Sequence, residues 1–317
     1  MTQAEDLLRE AESARDLDAA VAGATGAVTQ FRAALDLAPV ARVPLDWAAT
    51  QTRLSVALRL LGALLDDVEL LHDAVRSGQA ALSVAPLATA PQVWGRARAA
   101  LGSVYVVLGE RDGDLSTLAE AAASYADAQQ GFPRAAFPLD WARMMRNRGA
   151  ALALLGEVAN DPDALSDAIG CYRAALEVYA PAAAPATVVL ADWALTQSNL
   201  AQALRLLAER TGDTADGGPH GTQLLREAVT AGEAALAATA RETAPQEWAM
   251  TATNLANALA ALAERTGDTD CLHRAIDAYR QALAALGGPR WLRQRAITRH
   301  NLALAERRLA GREGTAG

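Results

Sequence analysis

Residues 193–204 read WALTQSNLAQAL, and residues 248–259 read WAMTATNLANAL. We name this pattern the first motif. Its copies begin at Trp47, Trp94, Trp141, Trp193 and Trp248, and a sixth copy without tryptophan begins at Arg295. Apolar or small residues recur seven, eight, eleven and fourteen places after the starts, with Arg148 and Glu306 as the two exceptions, which is the spacing of one face of an α-helix. Each copy therefore predicts a helix.

A second motif alternates with the first. Residues 275–283 read AIDAYRQAL and residues 168–176 read AIGCYRAAL. The copies that begin at residues 27, 74, 121 and 168 lie 47 residues apart, as do those at 228 and 275. The alternation predicts helical hairpins, and because one hairpin cannot bury its apolar stripe alone, the hairpins must stack on their neighbours.

The repeat predicts one all-α domain over residues 1–310, with about six hairpins and a C-terminal capping helix. The hairpins span approximately residues 3–40, 41–87, 88–134, 135–183, 184–241 and 242–287, followed by the cap over 291–310 and a disordered tail over 311–317. Gly62, Gly109 and Gly156 are predicted to mark hairpin turns, because glycine commonly follows the end of a helix. Insertions around 181–190 and 211–222 interrupt the period, and they indicate either tolerant loops or a specific contact.

Composition narrows the class of function. The chain has 317 residues, 29 basic residues (all arginine) against 37 acidic ones, and a net charge of −8. Nucleic-acid binders usually carry the opposite sign, because contacts with phosphates supply most of their affinity. The N-terminus lacks the pattern of a signal peptide, and no apolar run is long enough to cross a bilayer. We therefore expect a cytoplasmic protein that binds neither nucleic acid nor membrane.

Residues that perform catalysis or bind metals show no recognisable spacing. Cys171 and Cys271 lie 100 residues apart, and the four histidines do not form a zinc-site pattern. Nucleotide-binding loops and nucleophile motifs are also missing from the sequence. The sequence thus predicts no metal, no cofactor and no enzymatic activity.

The run PLDWAATQTRL from residue 44 and the run AIDAYRQAL from residue 275 resemble tetratricopeptide repeats. The resemblance is to the long bacterial type, to kinesin light chain repeats and to arrays that accompany CHAT or caspase-like proteases. It covers nearly the whole chain. It implies a right-handed superhelical solenoid whose first helices line a concave groove that binds peptides or proteins.

In this family the groove residues lie two, six and nine places after the start of the first motif. Carried over to this chain, the candidates are Arg53, Arg96, Arg143, Asn147, Asn199, Gln202, Asn254, Asn257 and Asn301. An amide can donate to and accept from a peptide backbone, and an arginine can bind a carboxylate through two nitrogens. The arginines in the first half of the groove suggest an acidic partner. Each asparagine has an alternative role, which is to bond a neighbouring helix or loop.

The predicted function is a non-catalytic scaffold or adaptor that binds a protein or peptide in the groove. One alternative is a sensor or regulatory subunit that binds a small molecule or signalling peptide and controls a separately encoded effector, such as a protease. Another is an enzyme with a site built on the solenoid. A homo-oligomer is possible through alanine-rich faces such as 234–240, but nothing in the sequence indicates one.

Overall fold

The computed structural model describes residues 2–14, 16–180, 187–211, 220–287 and 291–313. These residues form an all-helical chain, 87% helix, with no β-strand among them. The thirteen α-helices are α1 Thr2–Ser13, α2 Leu17–Leu37, α3 Pro44–Leu65, α4 Val68–Val84, α5 Pro91–Asp112, α6 Leu115–Ala128, α7 Pro138–Ala159, α8 Pro162–Tyr179, α9 Thr187–Arg210, α10 His220–Ala238, α11 Pro245–Thr266, α12 Thr269–Ala285 and α13 Leu292–Glu313. A short 3₁₀ helix, Gln129–Gly131, follows α6.

The helices pack in sequential neighbouring pairs, which is consistent with a helical repeat. The first motif lies in α3, α5, α7, α9, α11 and α13, and the second motif lies in the even-numbered helices α2 to α12. Contacts divide the chain into two compact units, unit 1 (Met1–Ala159) and unit 2 (Asn160–Gly317). In unit 2, α11 contacts both α9 and α13, so three first-motif helices lie side by side.

Turns of only two residues precede several second-motif helices. Asp66, Gly113, Asn160 and Gly267 adopt the left-handed conformation, with φ between 52° and 81°. The residue that follows each of them is Asp67, Asp114, Asp161 or Asp268. Each of these aspartates caps its helix, because its carboxylate accepts from two backbone N–H groups of the first turn. The turns therefore combine a left-handed residue with an N-terminal cap.

The prediction that Gly62, Gly109 and Gly156 lie in these turns is wrong, since the three glycines lie inside α3, α5 and α7. Two of them instead permit close packing of helices. A Cβ atom at Gly109 would lie 2.7 Å from the side chain of Leu118, and one at Gly62 would lie 3.0 Å from Leu71. Gly62 and Gly109 thus reflect contact between helices, whereas chain reversal is provided by left-handed residues such as Gly113 and Gly267.

The fifth residue of the second motif supplies much of the core. Phe31, Tyr125, Tyr172 and Tyr279 occupy this place and are each at most 4% exposed. Gly78 and Gly232 take the same place in the remaining copies. There, leucines of the following first-motif helices, Leu101 and Leu255, fill the space that an aromatic ring would need. Each copy therefore buries an apolar side chain at this point.

Tryptophans of the first motif pack against arginine side chains. The guanidinium carbons of Arg98, Arg134 and Arg241 lie 5.3, 4.9 and 4.6 Å from the ring centroids of Trp94, Trp141 and Trp248 respectively. These contacts are cation–π interactions. Trp248 is 8% exposed, within an apolar cluster that includes Ala252 and Leu286.

The ends of two predicted segments differ from the structure. Helix α13 continues to Glu313, so residues 311–313 are helical instead of part of a disordered tail, and residues 314–317 lie outside the described residues. Much of the two insertions, residues 181–186 and 212–219, also lies outside them. Among the described helices, none combines the length and the apolar character needed to cross a bilayer.

Candidate functional site

A pocket of about 240 Å³ lies on the first-motif helices of unit 2. We name it the Tyr279 pocket. Its lining residues are Arg205 and Glu209 from α9, Asn257, Ala260, Ala261 and Glu264 from α11, Tyr279 from α12, and Asn301, Leu304, Ala305 and Arg308 from α13. Four helices therefore contribute to one site.

Two asparagines and a tyrosine form the polar centre of the Tyr279 pocket. Asn257 Oδ1 accepts from the Tyr279 hydroxyl at 2.6 Å and from Asn301 Nδ2 at 2.9 Å. The Tyr279 ring is 2% exposed, so the packing of α12 fixes the position of its hydroxyl. Neither bond uses Asn257 Nδ2 or Asn301 Oδ1. Within the described residues, one donor group and one acceptor atom therefore remain for a ligand, which is the pair that a peptide unit requires.

Ion pairs border the same pocket. Arg205 contacts Glu209 at 2.5 Å, and Arg308 contacts both oxygens of Glu264 at 3.0 Å. Burial raises the pKa of the Tyr279 hydroxyl, while the nearby charges of Arg205 and Arg308 oppose this increase. Both guanidinium groups therefore act on the centre of the pocket. Each of them has a carboxylate partner, so the four charges balance.

Two of the nine groove residues predicted from the sequence, Asn257 and Asn301, line the Tyr279 pocket. Asn254 Nδ2 donates to Ser198 Oγ at 3.0 Å, which is a bond between α11 and α9. That contact corresponds to the alternative structural role for an asparagine. Asn199 and Gln202 are half-buried on α9.

The other four predicted residues belong to unit 1. Arg53 pairs with Glu5 at 2.6 Å, and Arg143 pairs with Asp140 at 3.3 Å. Arg96 is exposed on α5. Asn147 Oδ1 accepts from two nitrogens of Arg146, each at 3.4 Å. None of the four lines the Tyr279 pocket.

The sequence analysis did not predict five residues of the Tyr279 pocket, which are the residues that carry the charges and the hydroxyl group of that pocket. They are Arg205, Glu209, Glu264, Tyr279 and Arg308. The available signal was the register of the two motifs taken together. It places Tyr279 at the buried aromatic position, while Arg205 and Glu209 lie twelve and sixteen residues after Trp193.

An exposed apolar row distinguishes unit 2 at the second place after the start of the first motif. Leu195, Met250 and Ile297 occupy this place and are 47%, 42% and 46% exposed. In unit 1 the same place holds Ala49, Arg96 and Arg143, and the two arginines are exposed. Equivalent positions in the two units thus present different chemistry to solvent.

Both cysteines are buried and free of disulfides. Burial, together with the hydrogen bond to Asp268, raises the pKa of Cys271 to about 11, which opposes formation of a thiolate at neutral pH. Within the described ranges, histidine, cysteine and carboxylate side chains do not converge in groups of three or more.

A scan against models of known protein families finds none that matches this chain, and a search of curated proteins finds no significant relative. The resemblance to tetratricopeptide repeats therefore depends on the two motifs and on their register.

Proposed function

We propose that this chain is a non-catalytic scaffold or adaptor that binds a protein or peptide on its first-motif helices. The observation that carries the proposal is the Tyr279 pocket. There Asn257 and Asn301 come from different helices, hydrogen-bond to each other and still have a donor and an acceptor available. Such an amide pair suits the backbone of an extended peptide, which presents alternating acceptors and donors.

The size of the Tyr279 pocket favours a peptide over a free small molecule. Its volume of about 240 Å³ is below the roughly 300–1,000 Å³ of typical small-molecule sites. A pocket of this size suits one or two side chains of a longer ligand. The exposed row of Leu195, Met250 and Ile297 would supply further apolar contact area for that ligand. These features favour the scaffold over the small-molecule sensor.

The proposed mechanism is preorganisation. Tyr279 holds Asn257 in place, and Asn257 in turn holds Asn301. Side chains that are ordered before binding lose little conformational entropy when a ligand arrives. In this proposal the helical repeat is a tetratricopeptide-like superhelical solenoid of about six hairpins with α13 as its cap, and the protein works in the cytoplasm.

The experiment is a selection of peptides from a random display library on the full chain. Binding of a selected peptide is then measured by fluorescence anisotropy for wild type, Asn301→Ala and the control Gln281→Ala, which changes an exposed residue of α12. We expect Asn301→Ala to weaken binding roughly three- to tenfold, because it removes at least one hydrogen bond. Gln281→Ala should bind as wild type does.

Two results would contradict the proposal. The first is a selection that yields no peptide above background. The second is an affinity for the selected peptides that Asn301→Ala leaves equal to that of Gln281→Ala. Circular dichroism of each variant checks that the helical content is unchanged.

A further inference from the structure

The arrangement in the Tyr279 pocket has a counterpart in unit 1, at the same places of both motifs. Arg59 lies twelve residues after Trp47, as Arg205 lies twelve after Trp193. Tyr125 and Tyr279 are both the fifth residue of a second-motif copy. Asn147 and Asn301 are both six residues after the start of a first-motif copy. We name the set Arg59, Ser103, Tyr125, Arg146 and Asn147 the Tyr125 site.

Substitutions at three places change the chemistry of the Tyr125 site. Ala63 stands at the place of Glu209, so the place that supplies a carboxylate to Arg205 in unit 2 supplies none to Arg59, and the carboxylate near Arg59 is Glu12 of α1. Leu154 stands at the place of Arg308. Ser103 stands at the place of Asn257, and its hydroxyl donates to the Ala100 carbonyl of its own helix at 2.7 Å.

Arg59 carries the argument for a ligand. Its Nε atom is buried and has no hydrogen-bond partner within the described part of the chain. Burial lowers the pKa of this guanidinium, and the nearby Tyr125 and Glu12 oppose that effect. Arg59 is half-buried, and its Nε atom is the nitrogen that lies out of reach of water. A buried N–H group without an acceptor is costly, and an anion that accepts from it relieves that cost.

The guanidinium of Arg146 lies near the same tyrosine hydroxyl as that of Arg59. Tyr125 is 4% exposed, and burial raises the pKa of its hydroxyl to about 12, although Arg59 and Arg146 both oppose the increase. Arg146 reaches the site from α7 and also donates to Asn147 Oδ1. Two positive groups from two helices thus influence one tyrosine hydroxyl.

Charge on the surrounding helices favours an anion as well. The first-motif helices of unit 1, α3, α5 and α7, contain eight arginines against five aspartate and glutamate residues, and those acidic residues lie near the helix ends. Some of these arginines have carboxylate partners on other segments, such as Arg53 with Glu5 and Arg98 with Asp127. Arg59 has no ion pair of this kind among the described residues.

We propose that the Tyr125 site binds an oxyanion, a carboxylate or phosphate group of a partner, through Arg59 and Arg146. The arginine nitrogens donate to the oxyanion, and the Tyr125 hydroxyl is placed to donate to it as well. Arginine suits this role because its planar group binds carboxylates and phosphates through two nitrogens at once. The proposal goes beyond peptide binding in unit 2, because it does not require an occupied Tyr279 pocket.

The test uses ¹H–¹⁵N spectra of the arginine Nε groups of the full chain. The probes are inorganic phosphate, acetate and hexaglutamate, with hexaglutamine as the uncharged control. We expect a saturable shift of the Arg59 signal, which is assigned by its loss in Arg59→Gln. A response to acetate or hexaglutamate identifies carboxylates as ligands, a response to phosphate identifies phosphate groups, and either supports the proposal.

A matched pair of variants separates this site from general charge effects. Ala63 is exposed, and Ala63→Glu supplies Arg59 with the carboxylate that Glu209 provides to Arg205. We expect this change to weaken anion binding about tenfold or more. The control Ala33→Glu adds the same charge at an exposed position of α2 and should leave binding nearly unchanged.

The proposal is overturned if no anion shifts the Arg59 signal in a saturable way, or if Ala63→Glu and Ala33→Glu have equal effects. Failure here is distinguishable from failure of the proposed peptide binding. The former is read at Arg59 of unit 1, and the latter by peptides selected on the whole chain.

Discussion

The Tyr279 pocket and the Tyr125 site place an arginine, a tyrosine and an asparagine at equivalent positions of the repeat, yet their charges differ. In unit 2 the arginines that influence Tyr279 are paired with Glu209 and Glu264. In unit 1 alanine replaces the first of these carboxylates, at Ala63. The repeat therefore determines the positions of the polar groups. The charge beside the arginine differs because the residue sixteen places after the start of the first motif, outside both motifs, is Ala63 in unit 1 and Glu209 in unit 2.

Removal of the buried tyrosine rings should have the largest effect on stability, and it tests whether Tyr125 and Tyr279 are equivalent in the two units. We expect Tyr125→Ala and Tyr279→Ala each to lower the free energy of unfolding by about 3–5 kcal/mol, because each removes a buried aromatic ring and leaves a cavity. Urea unfolding followed by circular dichroism measures the loss. Gln281→Ala serves as the exposed control. A loss below about 1 kcal/mol in one unit alone would show that the two rings are not equivalent parts of the core.

The sequence predicted the helices better than it predicted the sites. Periodicity placed the first and second motifs on alternating helices, and groove places six and nine identified Asn257 and Asn301. Arg205 and Glu209 pair within α9, so their spacing of four residues was visible in the sequence, whereas the other charged pair of the pocket depends on the distance between two helices. Arg308 and Glu264 are 44 residues apart in sequence.

The turns show a different limit of sequence reasoning. The position of Gly109 in the repeat predicted the end of a helix. In the structure Gly109 lies inside α5, and a glycine is needed there because the Leu118 side chain packs against it. The real turn at Gly113 and Asp114 recurs 47 residues from Asp66 and Asp67, and this period was visible in the sequence. Glycine alone is ambiguous, because both tight packing and a left-handed turn select it.

Removal of a carboxylate from the Tyr279 pocket should make its charge more like that of the Tyr125 site and so favour the binding of anions. Glu209→Ala leaves Arg205 without its ion-pair partner and gives the place the residue found at Ala63. We expect hexaglutamate to bind the Tyr279 pocket about tenfold more tightly in this variant, since one repulsive charge is lost and one guanidinium is released. The Arg205 Nε signal measures the change.

The matched control for this variant is Glu233→Ala, which removes the same charge from an exposed ion pair with Arg274, on α10 and outside the Tyr279 pocket. Equal gains from Glu209→Ala and Glu233→Ala would mean that net charge, rather than the local ion pair, controls anion binding in unit 2.

The tyrosine hydroxyls should differ in their contribution to stability. Tyr279→Phe removes the hydrogen bond to Asn257, so we expect it to cost about 1 kcal/mol. Tyr125→Phe should cost less than about 0.5 kcal/mol, because Ser103 replaces the asparagine and no corresponding bond of the Tyr125 hydroxyl is present in the described part of unit 1. Urea unfolding of both variants compares them. A larger loss for Tyr125→Phe than for Tyr279→Phe would contradict the difference inferred for the two sites.

Acid should weaken the helix caps of both units, because it protonates the capping aspartates. Of the effects predicted for the two units, we expect this one to be the smallest. Hydrogen bonds from Thr117 and Ser116 lower the pKa of Asp114, and those from Cys271 and Asp270 lower the pKa of Asp268. A carboxylate whose pKa is lower in the folded state stabilises that state above its ordinary pKa near 3.8. This stabilisation is lost as the pH falls through the lowered value.

We therefore expect the melting temperature of wild type to fall more between pH 6 and pH 3 than that of Asp114→Asn or Asp268→Asn. Asparagine keeps an acceptor for the cap but does not titrate in this range. Asp36→Asn, at an exposed position of α2, is the control and should follow wild type. If the cap variants lose as much stability in acid as wild type does, titration of these aspartates does not contribute to the acid sensitivity of either unit.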